Sequence, residues 1–162
     1  MAILVTGGTG FIGSHTVVEL LQANEKVIIV DNLKNSKKCV LDRIEAITGK
    51  RPVFYRVDLL DKEALDSVFK ENPDMTAVIH FAGLKAVGES VEKPLLYYHD
   101  NLTTTFHLLE CMEKHGVDRM LFGTDSPWHS AEMERALLCS LSLTEEELAK
   151  IYSGNARRLL RL

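Results

Sequence analysis

Short apolar runs that alternate with amphipathic, helix-length segments predict an α/β fold for this chain of 162 residues. The runs at 27–30 and 77–81 are almost entirely apolar, as is typical of parallel strands that are covered on both faces. A glycine-rich turn follows the first run, 3–5, and leads directly into a helical pattern. Because parallel strands are joined by right-handed helical crossovers, we expect a doubly wound, Rossmann-like sheet of five strands in the order 3-2-1-4-5.

The order of elements follows from local signals. We predict strands at 3–5, 27–30, 52–57, 77–81 and 119–122, and helices at 11–23, 36–49, 62–70, 94–115, 130–140 and from 144 onwards. Ser36 is a candidate N-cap, and Pro94 suits a first helical position. Thr144 with Glu147 forms a capping-box pattern. Along the long helix, the predicted buried face consists of Leu102, Phe106, Leu109 and Met112.

The turn after the first strand has the glycine pattern of a dinucleotide site. Gly7, Gly10 and Gly13 lie three residues apart. Glycines in these places allow a tight turn, let the backbone approach a pyrophosphate, and permit close packing of helix on strand. The helix that follows would direct its free N–H groups at the phosphates. The alternative is a glycine-rich turn without a ligand.

Two aspartates that follow strands are candidates for contact with the adenosine. Asp31 ends the second strand at the distance from the glycines where an acidic residue accepts hydrogen bonds from ribose hydroxyls. Such a carboxylate repels a 2′-phosphate and favours NAD over NADP; the alternative is a plain loop carboxylate. Asp58 can contact the adenine amino group or cap the helix that starts after Asp61.

From Met1 to about Asp118 the chain resembles the N-terminal part of the UDP-glucose 4-epimerases, which are extended short-chain dehydrogenases/reductases. Val5–Thr16, Asp31–Leu33 and, above all, His80–Val91 carry the resemblance. It implies a tightly held NAD that accepts a hydride from C4 of the sugar. The implied cofactor-binding residues are Gly7, Gly10, Phe11, Ile12, Gly13, Asp31, Asn32, Asn35, Ser36, Asp58, Leu59, Phe81, Ala82, Gly83, Lys85 and Asn101. Lys85 would meet the cofactor's ribose or phosphate; its alternative is a solvated loop lysine.

The catalytic part of that family's pattern is missing. The family uses a serine after the fifth strand and a Tyr-x-x-x-Lys pair, whose four-residue spacing places both side chains on one helix face. This sequence contains no Tyr-x-x-x-Lys, and Asp125 stands at the position of the serine. We therefore assign no catalytic residue.

The tail resembles a different family. Residues 119–128, 143–147 and 154–160 are similar to the last βα unit of a metal-dependent amidohydrolase barrel, where an aspartate in the place of Asp125 serves the metal site. No His-x-His is present, and one aspartate cannot hold a catalytic metal, so no metal site is expected. We interpret the chain as one Rossmann-like domain, 1–162, joined near 118 as an engineered chimera.

Composition narrows the possible partners. The net charge of −4 argues against a basic surface for nucleic acid. The sequence contains no run of about eighteen apolar residues, so a membrane span is not expected. Three scattered cysteines without a leader pattern predict a cytoplasmic protein. The oligomeric state does not follow from the sequence.

Three functions are compatible with these observations. The first is an NAD-binding module without catalysis, which the complete glycine turn and the missing dyad favour. The second is a residual epimerase or dehydrogenase that uses groups near Asp125. The third is a folded scaffold that binds no cofactor.

Overall fold

The protein is described from a computed structural model, which covers residues 2–118, 139, 144–154 and 157. The chain divides into two compact units, Met1–Asp118 and Arg119–Leu162. Each unit is described by itself.

A parallel sheet forms the centre of the first unit. Its strands are β1 (Ala2–Thr6), β2 (Lys26–Val30), β3 (Val53–Tyr55) and β4 (Met75–His80), in the order β3-β2-β1-β4. The described residues thus form four strands rather than five, and they confirm the first four places of the expected order. The fifth strand predicted at 119–122 lies outside the described residues. All five residues of β1 are buried because β1 is flanked by strands on both sides.

Five helices connect these strands and follow them. They are α1 (Phe11–Gln22), α2 (Cys39–Thr48), α3 (Lys62–Glu71), α4 (Val87–Glu92) and α5 (Pro94–Lys114). Gly49 follows α2 with a φ of 69°, and Gly116 lies just after α5 with the same φ, as helix-ending glycines do. The core on one side of the sheet is filled by α3 and α5, where Leu65 and Phe69 pack with Leu108 and Met112.

Two predicted helix details are wrong. Ser36 does not cap α2, which begins at Cys39 after Lys38 and has no side-chain cap. On α5, Leu102 and Phe106 are 51% and 57% exposed, whereas Tyr97, Leu108, Cys111 and Met112 are buried. The first half of α5 directs the polar residues Asn101 and Thr104 towards a cleft, so bulky apolar residues do not mark its inner face.

The described part of the second unit contains α6 (Glu145–Ala149) and a π-helical turn, Lys150–Gly154. Thr144 accepts a hydrogen bond from the N–H of Glu147, and the Glu147 carboxylate accepts one from the N–H of Thr144. This confirms the predicted capping box. Within the described residues of both units, no helix is long and apolar enough to cross a bilayer.

Candidate functional site

The carboxyl ends of three strands meet at one edge of the sheet. Thr6 at the end of β1 is in register with Val30 of β2 and His80 of β4. The main-chain hydrogen bonds continue one residue further, from Gly7 N–H to Val30 O (2.8 Å) and from Phe81 N–H to Thr6 O (3.1 Å). The loops that leave these strands therefore start side by side, which is the arrangement in which open α/β sheets bind their ligands.

These loops enclose a cleft of about 450 Å³. All sixteen residues that the sequence analysis assigned to a cofactor line it. Eight further residues that were not predicted from the sequence also line the cleft: Val30, Lys34, Val57, Leu60, Leu84, Ala86, Asp100 and Thr104. Most of these are neighbours of assigned residues, and only Thr104, one turn after Asn101 on α5, could have been found from helical spacing.

At two glycines of the turn between β1 and α1, an added side chain would collide with the main chain. A Cβ on Gly7 would lie 2.7 Å from Ala82 N, and the φ of Gly7 is +66°. A Cβ on Gly13 would lie 2.3 Å from Gly7 O. These two glycines bring the turn against the 81–83 loop and the helix against the turn, which is the packing that the glycine pattern predicts.

The amino end of α1 faces the cleft, and no side chain of the described residues caps it. Its first turn contains no acidic residue. Phe11 and Ile12, both of which line the cleft, are 84% and 51% exposed. An uncapped helix start offers N–H donors and the positive end of the helix dipole to an anion. The bare apolar side chains beside it offer a surface for the flat or apolar part of the same ligand.

The Asp31 carboxylate lines the same cleft and is held by neutral donors. Its Oδ1 accepts hydrogen bonds from Leu33 N–H (2.9 Å) and from the Ser36 hydroxyl (3.0 Å), and its Oδ2 accepts one from Thr9 N–H (3.1 Å). A carboxylate has about four acceptor positions, so these three bonds from described residues leave one on Oδ2. Asp31 can accordingly accept one ligand hydroxyl in ordinary geometry.

The loop after Asp31 adopts a strained conformation. Leu33 has a φ of +61°, which is uncommon for a residue with a side chain. Its N–H bond to Asp31 and the bond from Lys34 N–H to Asn32 Oδ1 (2.9 Å) maintain this conformation. Such strain is typical of loops whose shape serves a ligand.

Asp58 does not have the capping role that was one of its two predicted alternatives. Its carboxylate accepts hydrogen bonds from Asn32 Nδ2 (3.0 Å) and Leu60 N–H (3.0 Å). The N-cap of α3 is Asp61, which accepts a hydrogen bond from Ala64 N–H. The contact of Asp58 with adenine stays a prediction.

Asn101 holds the loop on the other side of the cleft. Its Oδ1 accepts a hydrogen bond from Leu84 N–H (2.8 Å), and its Nδ2 donates to Leu84 O (3.1 Å). The amide therefore imitates the backbone of a neighbouring strand and fixes the position of Gly83 and Lys85. Lys85 itself is exposed and forms no ion pair within the described residues, so both of its predicted alternatives remain.

His80 is the last residue of β4 and precedes the cleft-lining residues Phe81 and Ala82. Its Nδ1 lies 2.6 Å from Thr6 Oγ1, and its Nε2 lies 3.5 Å from Thr105 Oγ1. Burial lowers the pKa of His80 because the charged imidazolium loses its hydration. The ring is therefore neutral near pH 7 and links β1 to β4 directly below the glycine turn.

The other predicted features fall elsewhere. Asp125, with Thr124 and Ser126 beside it, lies outside the described residues. Among residues 2–118, 144–154 and the two isolated described positions, no group of three or more His, Cys, Asp or Glu side chains is arranged to hold a metal ion.

The chain is similar to a known protein family. The sequence pattern of the "NAD dependent epimerase/dehydratase family" matches residues 3–131. This chain belongs to that family. The match extends past residue 118, where the sequence analysis placed a junction.

Individual relatives of this family member are epimerases. A UDP-glucose 4-epimerase of Bacillus subtilis is 60% identical over 126 residues, which are 78% of this chain and 37% of the relative. A crystal structure of the Bifidobacterium longum UDP-glucose 4-epimerase in complex with NAD+ and UDP superposes with a TM-score of 0.74, at 49% identity, over 78% of this chain and 37% of that one. The Thermus thermophilus enzyme in complex with NAD gives 0.67 at 40% identity, over 75% and 37%. This chain thus spans little more than a third of the length of these epimerases.

Proposed function

We propose that this epimerase-family chain binds NAD in the cleft at the carboxyl edge of its sheet. The observation that carries the proposal is the placement of two complementary groups in one cleft. The uncapped start of α1 suits a pyrophosphate, and the single open acceptor position of Asp31 suits a ribose hydroxyl. The complexes of the Bifidobacterium and Thermus relatives with NAD support the choice of ligand.

The proposed preference is for NAD over NADP. Asp31 is one of the carboxylates that line the cleft, and its hydrogen-bond donors among the described residues are all neutral. The charge of Asp31 would repel a 2′-phosphate placed beside it, and the groups that donate hydrogen bonds to Asp31 include no cation that would attract the phosphate.

The proposal includes the absence of epimerase turnover. These 162 residues contain no Tyr-x-x-x-Lys, so they do not supply the base that would remove the proton of the sugar C4 hydroxyl. Cofactor binding without this pair gives a module that holds NAD but does not interconvert sugars. A cytoplasmic location stays a prediction.

Isothermal titration of NAD into the full-length protein tests binding. Gly10→Ala is the informative variant because Gly10 lines the cleft and its φ is an ordinary −71°. A Cβ there would lie 3.1 Å from Gly7 O, so a thermal melt of the ligand-free variant must first establish that it is folded. Gly88→Ala is its matched control, since a Cβ on Gly88 meets nothing within 4 Å and Gly88 does not line the cleft. We expect the first variant to lose most NAD affinity and the second to keep it.

Other outcomes would decide between the alternatives. A folded wild-type protein that binds no NAD would contradict the proposal and favour a scaffold without cofactor. Conversion of UDP-galactose by the purified protein, if lost in Gly10→Ala and kept in Gly88→Ala, would contradict the proposed absence of turnover and favour a residual epimerase.

We also propose that the chain is a chimera, with an amidohydrolase-like segment from about 119 to 162. The sequence pattern of the tail supports this, and the boundary between the two compact units falls after Asp118. The family match to residue 131 runs against a junction at 118. An experimental structure of the whole chain tests the proposal: residues 119–122 are expected beside β4 as a fifth strand, and a position outside the sheet would contradict it.

A further inference from the structure

Thr9 lies inside the glycine turn but does not belong to the glycine pattern. Its side chain is almost completely buried, with 2% of the residue exposed. Its hydrogen bonds run to Asp31 and to the loop that follows β2. The Thr9 hydroxyl lies 2.7 Å from the Ser36 hydroxyl, and the Thr9 N–H donates to Asp31 Oδ2.

The direction of these hydrogen bonds follows from the carboxylate at their end. An ionised carboxylate only accepts, so the single proton of the Ser36 hydroxyl is donated to Asp31 Oδ1. Ser36 Oγ must then accept its bond with Thr9, and the Thr9 hydroxyl is the donor. Thr9 therefore reaches both oxygens of Asp31, one directly through its N–H and one through Ser36.

This closed ring of hydrogen bonds fixes how Asp31 faces the cleft. A rotation of the carboxylate would break the bond from Thr9 N–H at Oδ2 and the bond from Ser36 at Oδ1 together. The acceptor position that remains on Oδ2 consequently has a defined direction, set by the same turn that presents the start of α1. Polar groups that are held in place before binding lose less entropy when the ligand arrives.

We infer that Thr9 is a positioning residue, whose hydroxyl, relayed by Ser36, orients Asp31 towards the ribose of the dinucleotide. The inference rests on the proposed NAD site and adds to it a physical link between the phosphate end and the ribose end. The link also affects specificity, because a fixed carboxylate both binds the free 2′-hydroxyl and opposes a 2′-phosphate.

The test compares Thr9→Val with Thr9→Ser in the full-length protein. Valine keeps the shape of threonine and removes the donor, whereas serine keeps the donor and removes only a methyl group. We expect Thr9→Val to weaken NAD binding about 2- to 10-fold, the range for loss of one supporting hydrogen bond, and Thr9→Ser to restore wild-type affinity. Thermal melts of each ligand-free variant establish that it is folded.

Two readouts separate positioning from a general loosening of the fold. The dissociation constant of NADP divided by that of NAD should fall in Thr9→Val. The variant loses the fixed carboxylate that binds the 2′-hydroxyl of NAD, whereas NADP has no 2′-hydroxyl to bind it. In an Asp31→Ala background, Thr9→Val should cause no further loss of NAD affinity, because the group it orients is absent.

Each outcome decides the inference. Equal losses of NAD and NADP affinity, or the same loss from Thr9→Val with and without Asp31, would overturn it. Wild-type NAD affinity in Thr9→Val would also overturn the inference, but it would not contradict the proposed NAD site. If the wild-type protein bound no NAD, the proposed function and this inference would both fail.

Discussion

Asp31 and Asp66 are equally buried aspartates that the fold surrounds with opposite partners. Each is 9% exposed. Asp31 is held by two backbone N–H groups and a hydroxyl, all neutral. Asp66, on α3, lies between the charged ends of Lys70 (2.6 Å) and Lys114 (2.9 Å) and accepts a hydrogen bond from His115 Nε2 (2.7 Å).

The partners determine what each carboxylate can do. The hydrogen bond from Lys70, followed by those from His115 and Lys114, holds the pKa of Asp66 well below its ordinary value of 3.8. Its charge is neutralised within the protein, and it joins α3 to the end of α5, where the His115 ring stacks on Phe69. Asp31 has no cationic partner among its hydrogen-bond donors in the described residues, and one acceptor position stays open. A buried carboxylate held only by neutral donors is thus the better indicator of a ligand site.

The largest expected effect is the loss of NAD affinity when Asp31 is replaced. Asp31→Asn removes the charge and replaces an acceptor oxygen by a donor, so we expect NAD affinity to fall about 10- to 100-fold, as for loss of a charge-assisted hydrogen bond. Isothermal titration measures it. Affinity within about twofold of wild type would show that Asp31 is a loop carboxylate without a ligand.

The second test concerns Asp66, whose replacement should lower stability and leave NAD affinity unchanged. Asp66→Asn leaves Lys70 and Lys114 close together without their common anion and weakens the hydrogen bond with His115, so the melting temperature should fall by several degrees. NAD affinity should stay unchanged because Asp66 does not line the cleft. A melting temperature equal to that of wild type would contradict the structural role.

Acid titration sharpens the same contrast. Because the pKa of Asp66 is lower in the folded than in the unfolded protein, its contribution to stability is complete above about pH 3.8 and is lost as the pH falls towards the folded pKa. Between these values the unfolded state binds the proton more readily. Denaturant midpoints measured from pH 6 to pH 2 should therefore fall less steeply in Asp66→Asn, and parallel curves would contradict this.

The smallest effect is expected at an exposed aspartate. Asp74 pairs with Lys26 at 3.0 Å, and the two side chains are 49% and 48% exposed. Solvent screens such a pair, so Asp74→Asn should cost only about 0.2–1 kcal/mol of unfolding free energy. Urea denaturation measures it, and a loss as large as that of Asp66→Asn would mean that burial does not decide the difference.

Hydrophobic period and special residues predicted the fold well. The four described strands have the predicted order because β1, β2 and β4 are nearly continuous apolar runs, which only a covered parallel sheet can bury. Gly7 and Gly13 were recognised because no other residue fits where the turn, the helix and the 81–83 loop meet. All residues assigned to the cofactor from the family pattern line one cleft, although their individual roles stay predictions.

Polar side chains were predicted less well. Ser36 was expected to cap α2 but bonds Asp31, and Asp58 bonds Asn32 instead of capping α3. On α5, the exposed Leu102 and Phe106 were expected inside. A serine or aspartate near a helix start has the same local signal whether it caps that helix or serves a loop from another strand.

The sequence by itself determined the sheet order of the described strands, the glycine turn and the acidic residue after β2, because these depend on local periodicity and on conformations that only glycine allows. Only the tertiary structure decided how the polar groups pair. It placed Thr9 and Ser36 on Asp31, two lysines and a histidine on Asp66, and the Asn101 amide on Leu84. These partners are 17 to 49 residues apart in most cases, and hydrogen bonds over such separations depend on where the packed strands and helices bring their ends together.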